Sequence, residues 1–191
     1  MFICQRCGSS FEVPRRVLDR YPGWTPKLCL DCRNADPDSG PSEQRNRGID
    51  EDPSSGVFTD GSASPNPGPG GWGAVYVVDD EIVAEAHGHE PHTTNNRMEF
   101  TALLAALDLV PEGTAAVVHS DSNLAVRTIN EWASGWEKRG WRRKTGEVEN
   151  LDLVRAVYEN WRPELRLTWI KGHAGHRWNE YADELANRWR D

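Results

Sequence analysis

The chain has 191 residues, with 22 Lys and Arg against 30 Asp and Glu, for a formal net charge of −8 at pH 7. That length fits one large or two small domains, and the acidic balance argues against a nucleic-acid binder unless positive charge is gathered in one place. No apolar run approaches a membrane span and the start, Met1-Phe2-Ile3-Cys4, lacks a signal peptide's apolar stretch, so a soluble, cytoplasmic protein is expected; it is taken to be a monomer.

All the cysteines lie near the start, as Cys4-x-x-Cys7 and Cys29-x-x-Cys32. Each pair points two thiolates at one point, and two such knuckles complete a tetrahedral Zn²⁺ site. Disulfides in an exported protein and a thioredoxin-like redox motif are the rival readings; nothing suggests export, and this Pro- and Arg-rich segment lacks a βαβ context. Residues 1–35 are therefore expected to form a small zinc-ribbon-like domain that folds around one structural Zn²⁺. Its partner is left open between nucleic acid and protein. Residues 36–55 are rich in Pro, Gly, Ser and acidic side chains around a single large aliphatic, Ile49, and read as a flexible linker. The second domain is then 56–191.

That domain opens on Val57-Phe58-Thr59-Asp60-Gly61-Ser62, a β-rich run expected to end at Asp60 because Ala63 to Gly71 are nearly all small, Pro or Gly. Gly70 to Val78 and Glu81 to His87, around an Asp79-Asp80 turn, read as two further strands. The period then changes. Phe100, Leu103, Leu104 and Leu107 mark one face of a helix over 95–110, with Asn95 or Asn96 as its cap. A fourth strand covers Thr114 to His119, and a helix follows to about Trp132. After an irregular stretch, Leu151 to Trp161 is helical, Leu165 to Ile170 is the fifth strand, and Asn179 to Trp189 is the last helix. The order βββαβααβα predicts an α/β fold with a mixed five-stranded sheet flanked by helices.

Four carboxylates recur at telling places. Asp60 and Asp121 end strands, Glu99 sits in the first turns of a helix, and Asp183 lies beside the apolar stripe of the last helix. If the first and fourth strands are neighbours, Asp60 and Asp121 leave the same sheet edge. Clustered carboxylates repel unless a cation sits among them. Mg²⁺ takes oxygen ligands and shares its octahedron with phosphate oxygens, and two such ions about 4 Å apart can serve an in-line phosphodiester displacement.

Thr59-Asp60-Gly61-Ser62, Asn66-Pro67-Gly68-Pro69-Gly70-Gly71, Thr94-Asn95-Asn96-Arg97-Met98-Glu99, Ser120-Asp121-Ser122 and Lys171-Gly172-His173-Ala174-Gly175-His176 together resemble the motifs of type 1 ribonuclease H, in order and spacing, over about residues 56–190. The resemblance implies a ribonuclease H-like fold. It also implies metal-dependent hydrolysis of the RNA strand of RNA–DNA hybrids, leaving 5′-phosphate and 3′-hydroxyl ends. By position, Asp60, Glu99, Asp121 and Asp183 match the residues that hold two Mg²⁺ or Mn²⁺ ions, and His173 matches the loop histidine credited with proton shuttling or product release.

The same resemblance extends to substrate. Asn66, Asn95 and Asn96 match side chains that read the hybrid's minor groove, where only RNA offers 2′-hydroxyls. Thr94 and Asn150 match a grip on a DNA-strand phosphate, with His92 standing nearest to where the family usually adds an Arg. Trp132 matches an aromatic lying against DNA sugars. Lys138, Arg139, Trp141, Arg142, Arg143 and Lys144 resemble the family's basic protrusion, which concentrates in one segment the positive charge that phosphate contacts need. Two other readings compete. A silent hybrid-binding module is disfavoured by the presence of all four acids, and a related two-metal DNA nuclease by the Asn95-to-Glu99 helix start and the tryptophan-rich basic segment.

Overall fold

The computed structural model describes residues 2–4, 10–11, 27 and 52–190. The chain divides into two compact units, Met1–Glu51 and Asp52–Asp191. In the first, strand β1 (Phe2–Ile3) pairs antiparallel with β2 (Ser10–Phe11), Phe2 opposite Phe11. Cys4, just past β1, is buried. Cys7, Cys29 and Cys32 lie outside the described residues.

The second unit is built on a five-stranded mixed sheet. Its strands are β3 (Gly56–Ala63), β4 (Gly68–Val78), β5 (Glu81–Thr93), β6 (Ala116–Ser120) and β9 (Leu165–Trp169), in the order β5-β4-β3-β6-β9. The first three run antiparallel to one another, whereas β6 is parallel to β3 and β9 is parallel to β6. The helices are α1 (Asn95–Leu109), α2 (Asn123–Arg127), α3 (Ala133–Glu137), α4 (Leu151–Asn160) and α5 (Arg177–Asn187). A two-stranded hairpin, β7 (Arg142–Arg143) and β8 (Gly146–Glu147), stands between α3 and α4.

Strand alternation divides the core between the two faces of the sheet. Val57, Ala74, Tyr76, Val118 and Leu167 pack against Phe100, Leu103 and Leu107 of α1 and Val154 and Val157 of α4. Phe58, Val75 and Val77 face the other way, onto Trp178, Ala182 and Leu185 of α5. Both faces are covered, which is why Val57 and Phe58, adjacent in sequence, are both 0% exposed.

Three local expectations need correcting. Strand β3 does not end at Asp60 but continues to Ala63, with Gly61 opposite Trp72 and Ser62 opposite Gly71, because the glycine-rich stretch that suggested a turn is itself the partner strand. What does stop is the parallel neighbour: the β3–β6 pairing ends at Thr59 opposite Ser120, so Asp60 and Asp121 emerge side by side where β6 gives out. The cap of α1 is Thr94, whose Oγ1 accepts from the Arg97 N–H at 3.3 Å. Asn95 is occupied elsewhere, its Oδ1 accepting from the Ala63 N–H at 2.6 Å. The helix expected to close near Trp132 runs through a π-helical turn, Thr128–Trp132, into α3. Single π turns re-aim the side chains around them.

Residues 52–55, which composition assigns to the linker, are part of this unit. Asp52 Oδ2 accepts from the Arg177 N–H at 2.8 Å and so caps α5. Ser54 O and Ser55 Oγ accept from the N–H groups of Asp80 and Asp79. Those two aspartates, at φ values of 65° and 50°, form the tight β4–β5 turn.

Candidate active site

Asp60, Glu99 and Asp121 converge from three elements. Each offers a carboxylate oxygen, and these atoms lie within 4.8 Å of one another. Asp60 comes from β3, Asp121 from just beyond β6, and Glu99 from the second turn of α1. The approach of α1 depends on Gly61, where a Cβ would collide with the backbone of Met98 and Glu99. Asp60 shares its face of β3 with Phe58, the face that α5 covers, and there the Asp183 carboxylate of α5 is near enough to raise its pKa.

The electrostatics are those of crowded acids without a counter-charge. Burial, then the neighbouring charges of Asp121 and Asp183, push the Asp60 carboxyl from 3.8 up to about 8. Burial, Asp60 and Asp121 hold Glu99 well above the usual range of a glutamate. Among the described residues, Asp60 Oδ2 and Glu99 Oε2 are buried without a hydrogen-bond partner. A fold that tolerates two orphaned carboxylate oxygens at one point is disposed for a cation, and an all-oxygen donor set suits a hard divalent ion.

Asp121 is held on three sides. Its backbone carbonyl accepts from the Trp169 indole at 3.0 Å, its Oδ2 faces the Asn179 amide Nδ2 at 3.5 Å, and Gly172 packs so closely that a Cβ there would collide with Oδ2. His173 follows directly, exposed on the β9–α5 loop at a φ of 50°. The loop histidine thus directly follows the glycine that packs against Asp121.

The residues expected to meet substrate fall into two groups. Asn66 and Asn95 are bonded to each other, the Asn95 N–H donating to Asn66 Oδ1 at 3.3 Å, and Asn96 is exposed beside them. Thr94 and Asn150 are the N-caps of α1 and α4. A bidentate Arg97–Asp152 pair, at 3.0 and 2.7 Å, ties the first turns of those two helices together. The second group lies beyond α2. Trp132 is partly buried 6.0 Å from Trp136, with the Arg127 guanidinium 4.8 Å above its ring. Lys138, Arg139, Arg142 and Lys144 are exposed, Arg143 pairs with Glu149 at 3.4 Å, and Trp141 packs edge-on against Tyr158.

A model of the RNase H family matches residues 52–190. The chain belongs to the RNase H family. It is 48% identical over 134 residues to a ribonuclease H of Aromatoleum aromaticum, covering 69% of this chain and 87% of that protein. It is similar to the crystal structure of LC9-RNase H1, a type 1 RNase H with the type 2 active-site motif. The TM-score there is 0.59 at 33% identity, over 70% of this chain and 71% of that one. LC11-RNase H1 in complex with an RNA/DNA hybrid superposes with a TM-score of 0.53 at 26% identity, over 69% and 92% of the two chains. The α/β architecture with its mixed five-stranded sheet is thus the RNase H-like fold.

Sequence reading missed Asn179 and Trp169. Asn179 is 3% exposed, its Oδ1 has no partner among the described residues, and it stands four residues before Asp183 on one face of α5. That helical spacing is a signal the sequence did contain. Trp169 carried none, because its role is an indole hydrogen bond to a backbone carbonyl.

Proposed function

We propose that this protein is a ribonuclease H that hydrolyses the RNA strand of RNA–DNA hybrids, leaving 5′-phosphate and 3′-hydroxyl ends. The observation that carries the reading is the convergence of Asp60, Glu99 and Asp121 with their buried, unpartnered oxygens. Asp183, against Asp60, is the fourth ligand. Two Mg²⁺ or Mn²⁺ ions held by these four residues would lower the pKa of an attacking water and offset charge on the scissile phosphate. The chain's own groups do the rest. Asp60 and Glu99 would give up their protons on holding the ions, Gly61 and Asn179 keep the carboxylates in register, and His173, exposed on the loop after β9, takes or delivers a proton.

Substrate selection follows from the two groups of exposed residues. The Asn66, Asn95 and Asn96 cluster lies next to the acids and suits 2′-hydroxyls, which both donate and accept hydrogen bonds. The Thr94 and Asn150 caps offer helix N-termini to a phosphate of the DNA strand. Trp132 supplies a flat apolar surface, and Lys138, Arg139, Arg142 and Lys144 supply counter-charge on an otherwise acidic domain. In the N-terminal unit, Cys4, Cys7, Cys29 and Cys32 would bind one structural Zn²⁺, and the unit would engage nucleic acid or a partner protein. No helix among the described residues is long and apolar enough to cross a membrane. A cytoplasmic monomer is the form proposed. Incubating the full-length protein with hybrid, duplex DNA and duplex RNA, in Mg²⁺ and in EDTA, tests the reading: cleavage confined to the RNA of the hybrid and abolished by EDTA is expected, and cleavage of duplex DNA would overturn it.

A further inference from the structure

Asp183 sits at the rim of the carboxylate cluster, and what fixes its side chain is a pair of residues that no motif marks. Asp60 and Ser62, two apart on β3, face α5 together, and Asp183 and Asn187, four apart on α5, face β3 together. The register therefore sets Asp60 against Asp183 and Ser62 against Asn187. Ser62 Oγ donates to Asn187 Oδ1 at 3.3 Å, while Asn187 Nδ2 donates to Asp183 Oδ1 at 2.9 Å and to the Asp183 carbonyl at 2.8 Å. The direction of the network is chemically determined. A carboxylate only accepts, so the amide must turn its nitrogen to Asp183, and its oxygen is left for the one hydroxyl that can donate. Gly71 and Gly73 on β4 make the close approach of α5 feasible, since side chains there would run into the backbone carbonyls of Ala186 and Ala182.

The geometry points to Asn187 as a positioning residue for the reaction, with Ser62 orienting it: the amide immobilises one oxygen of Asp183 and so fixes the carboxylate beside Asp60. This rests on the ribonuclease reading above and adds to it the element that holds the outermost ligand. Asp183 is only partly buried, so without that amide its carboxylate would be free to rotate toward solvent.

The test uses full-length protein and three readouts: kcat and KM on a hybrid at saturating Mg²⁺, Mn²⁺ affinity by isothermal titration without substrate, and the melting curve. Asn187→Leu keeps the side chain's bulk and deletes the donor. The expected result is a fall in kcat of about 10-fold, the usual scale for one lost hydrogen bond to a charged group. KM should stay within about twofold, and the Mn²⁺ dissociation constant should rise roughly 3- to 10-fold. In an Asp183→Asn background the same substitution should change neither kcat nor Mn²⁺ affinity, because its route of action is gone. Unchanged kcat and unchanged Mn²⁺ affinity in Asn187→Leu would overturn the inference, as would losses that add in full to those of Asp183→Asn or a shift in KM alone. Should Asn187→Leu fail to fold, Ser62→Ala replaces it, with a fall in kcat of about 2- to 5-fold expected and no change contradicting the proposal. Full activity of Asp60→Asn would instead sink the ribonuclease reading itself, so the two failures are distinguishable.

Discussion

Replacing Asp60 by Asn keeps the size of the side chain and removes its charge, and the consequence depends on pH and metal. In the folded, metal-free protein, burial and the charges of Asp121 and Asp183 raise this carboxyl from 3.8 to about 8. The folded state thus binds the proton more tightly than the unfolded chain does. The contribution of this group is fully present below about pH 4 and is lost as pH rises toward about 8. Converting that displacement gives an upper limit of roughly 5 kcal/mol at pH 8, which settling of the side chains around the charge reduces. Even about 2 kcal/mol would move the melting temperature of a domain this size by roughly 4–8 °C. In EDTA at about pH 8, Asp60→Asn should therefore melt several degrees above the natural protein, and near pH 4 the two should coincide. Millimolar Mg²⁺ should reverse the order by stabilising only the protein with the full carboxylate set. Scanning calorimetry across this pH range decides the matter: equal melting temperatures at every pH in EDTA would mean that Asp60 is not under electrostatic load.

Further expectations follow from particular contacts. Gly61→Ala places a methyl group against the Met98–Glu99 backbone, so it should cost roughly 1–3 kcal/mol in chemical denaturation and lower kcat through displacement of Glu99. Asp52→Ala removes the carboxylate that caps α5 and should cost about 1 kcal/mol, seen as a melting point lower by roughly 2–4 °C with the fold intact. Replacing Arg142, Arg143 and Lys144 together by Ala should raise KM far more than it lowers kcat and flatten the dependence of log KM on log salt; a fall in kcat alone would assign the segment to chemistry instead of substrate binding.

Much of the site was legible because its chemistry needs particular residue types at strand ends and helix starts. Glu99 and Asp121 announce themselves at a helix start and just past a strand end, and Asp60 by its place after an apolar β run, although β3 itself continues beyond it. The core was legible for the same reason, with Phe100, Leu103 and Leu107 marking the buried face of α1. What sequence hid was mostly non-local. The small residues after Asp60 look like a turn, yet Gly61, Ser62 and Ala63 stay paired with the Gly70–Trp72 end of the neighbouring strand, and Gly71 and Gly73 there let α5 lie close. Thr94 outcompetes Asn95 as a cap because Asn95 is drawn to the Ala63 N–H across the chain. Asp52 looks like linker and is a helix cap, since its partner at Arg177 stands 125 residues away. The π turn at Thr128–Trp132 has no sequence signature in this chain that we can name.

The most direct measurement of the central claim is strand-resolved cleavage of an end-labelled RNA–DNA hybrid by the full-length protein, run beside Asp60→Asn, with Mg²⁺ and with EDTA. The natural protein with Mg²⁺ should cut the RNA strand alone and leave 5′-phosphate ends, with product lost in EDTA and reduced by orders of magnitude in the variant. Undiminished cleavage by Asp60→Asn at saturating Mg²⁺, or scission of the DNA strand, would contradict the assignment of these carboxylates to hybrid-specific hydrolysis.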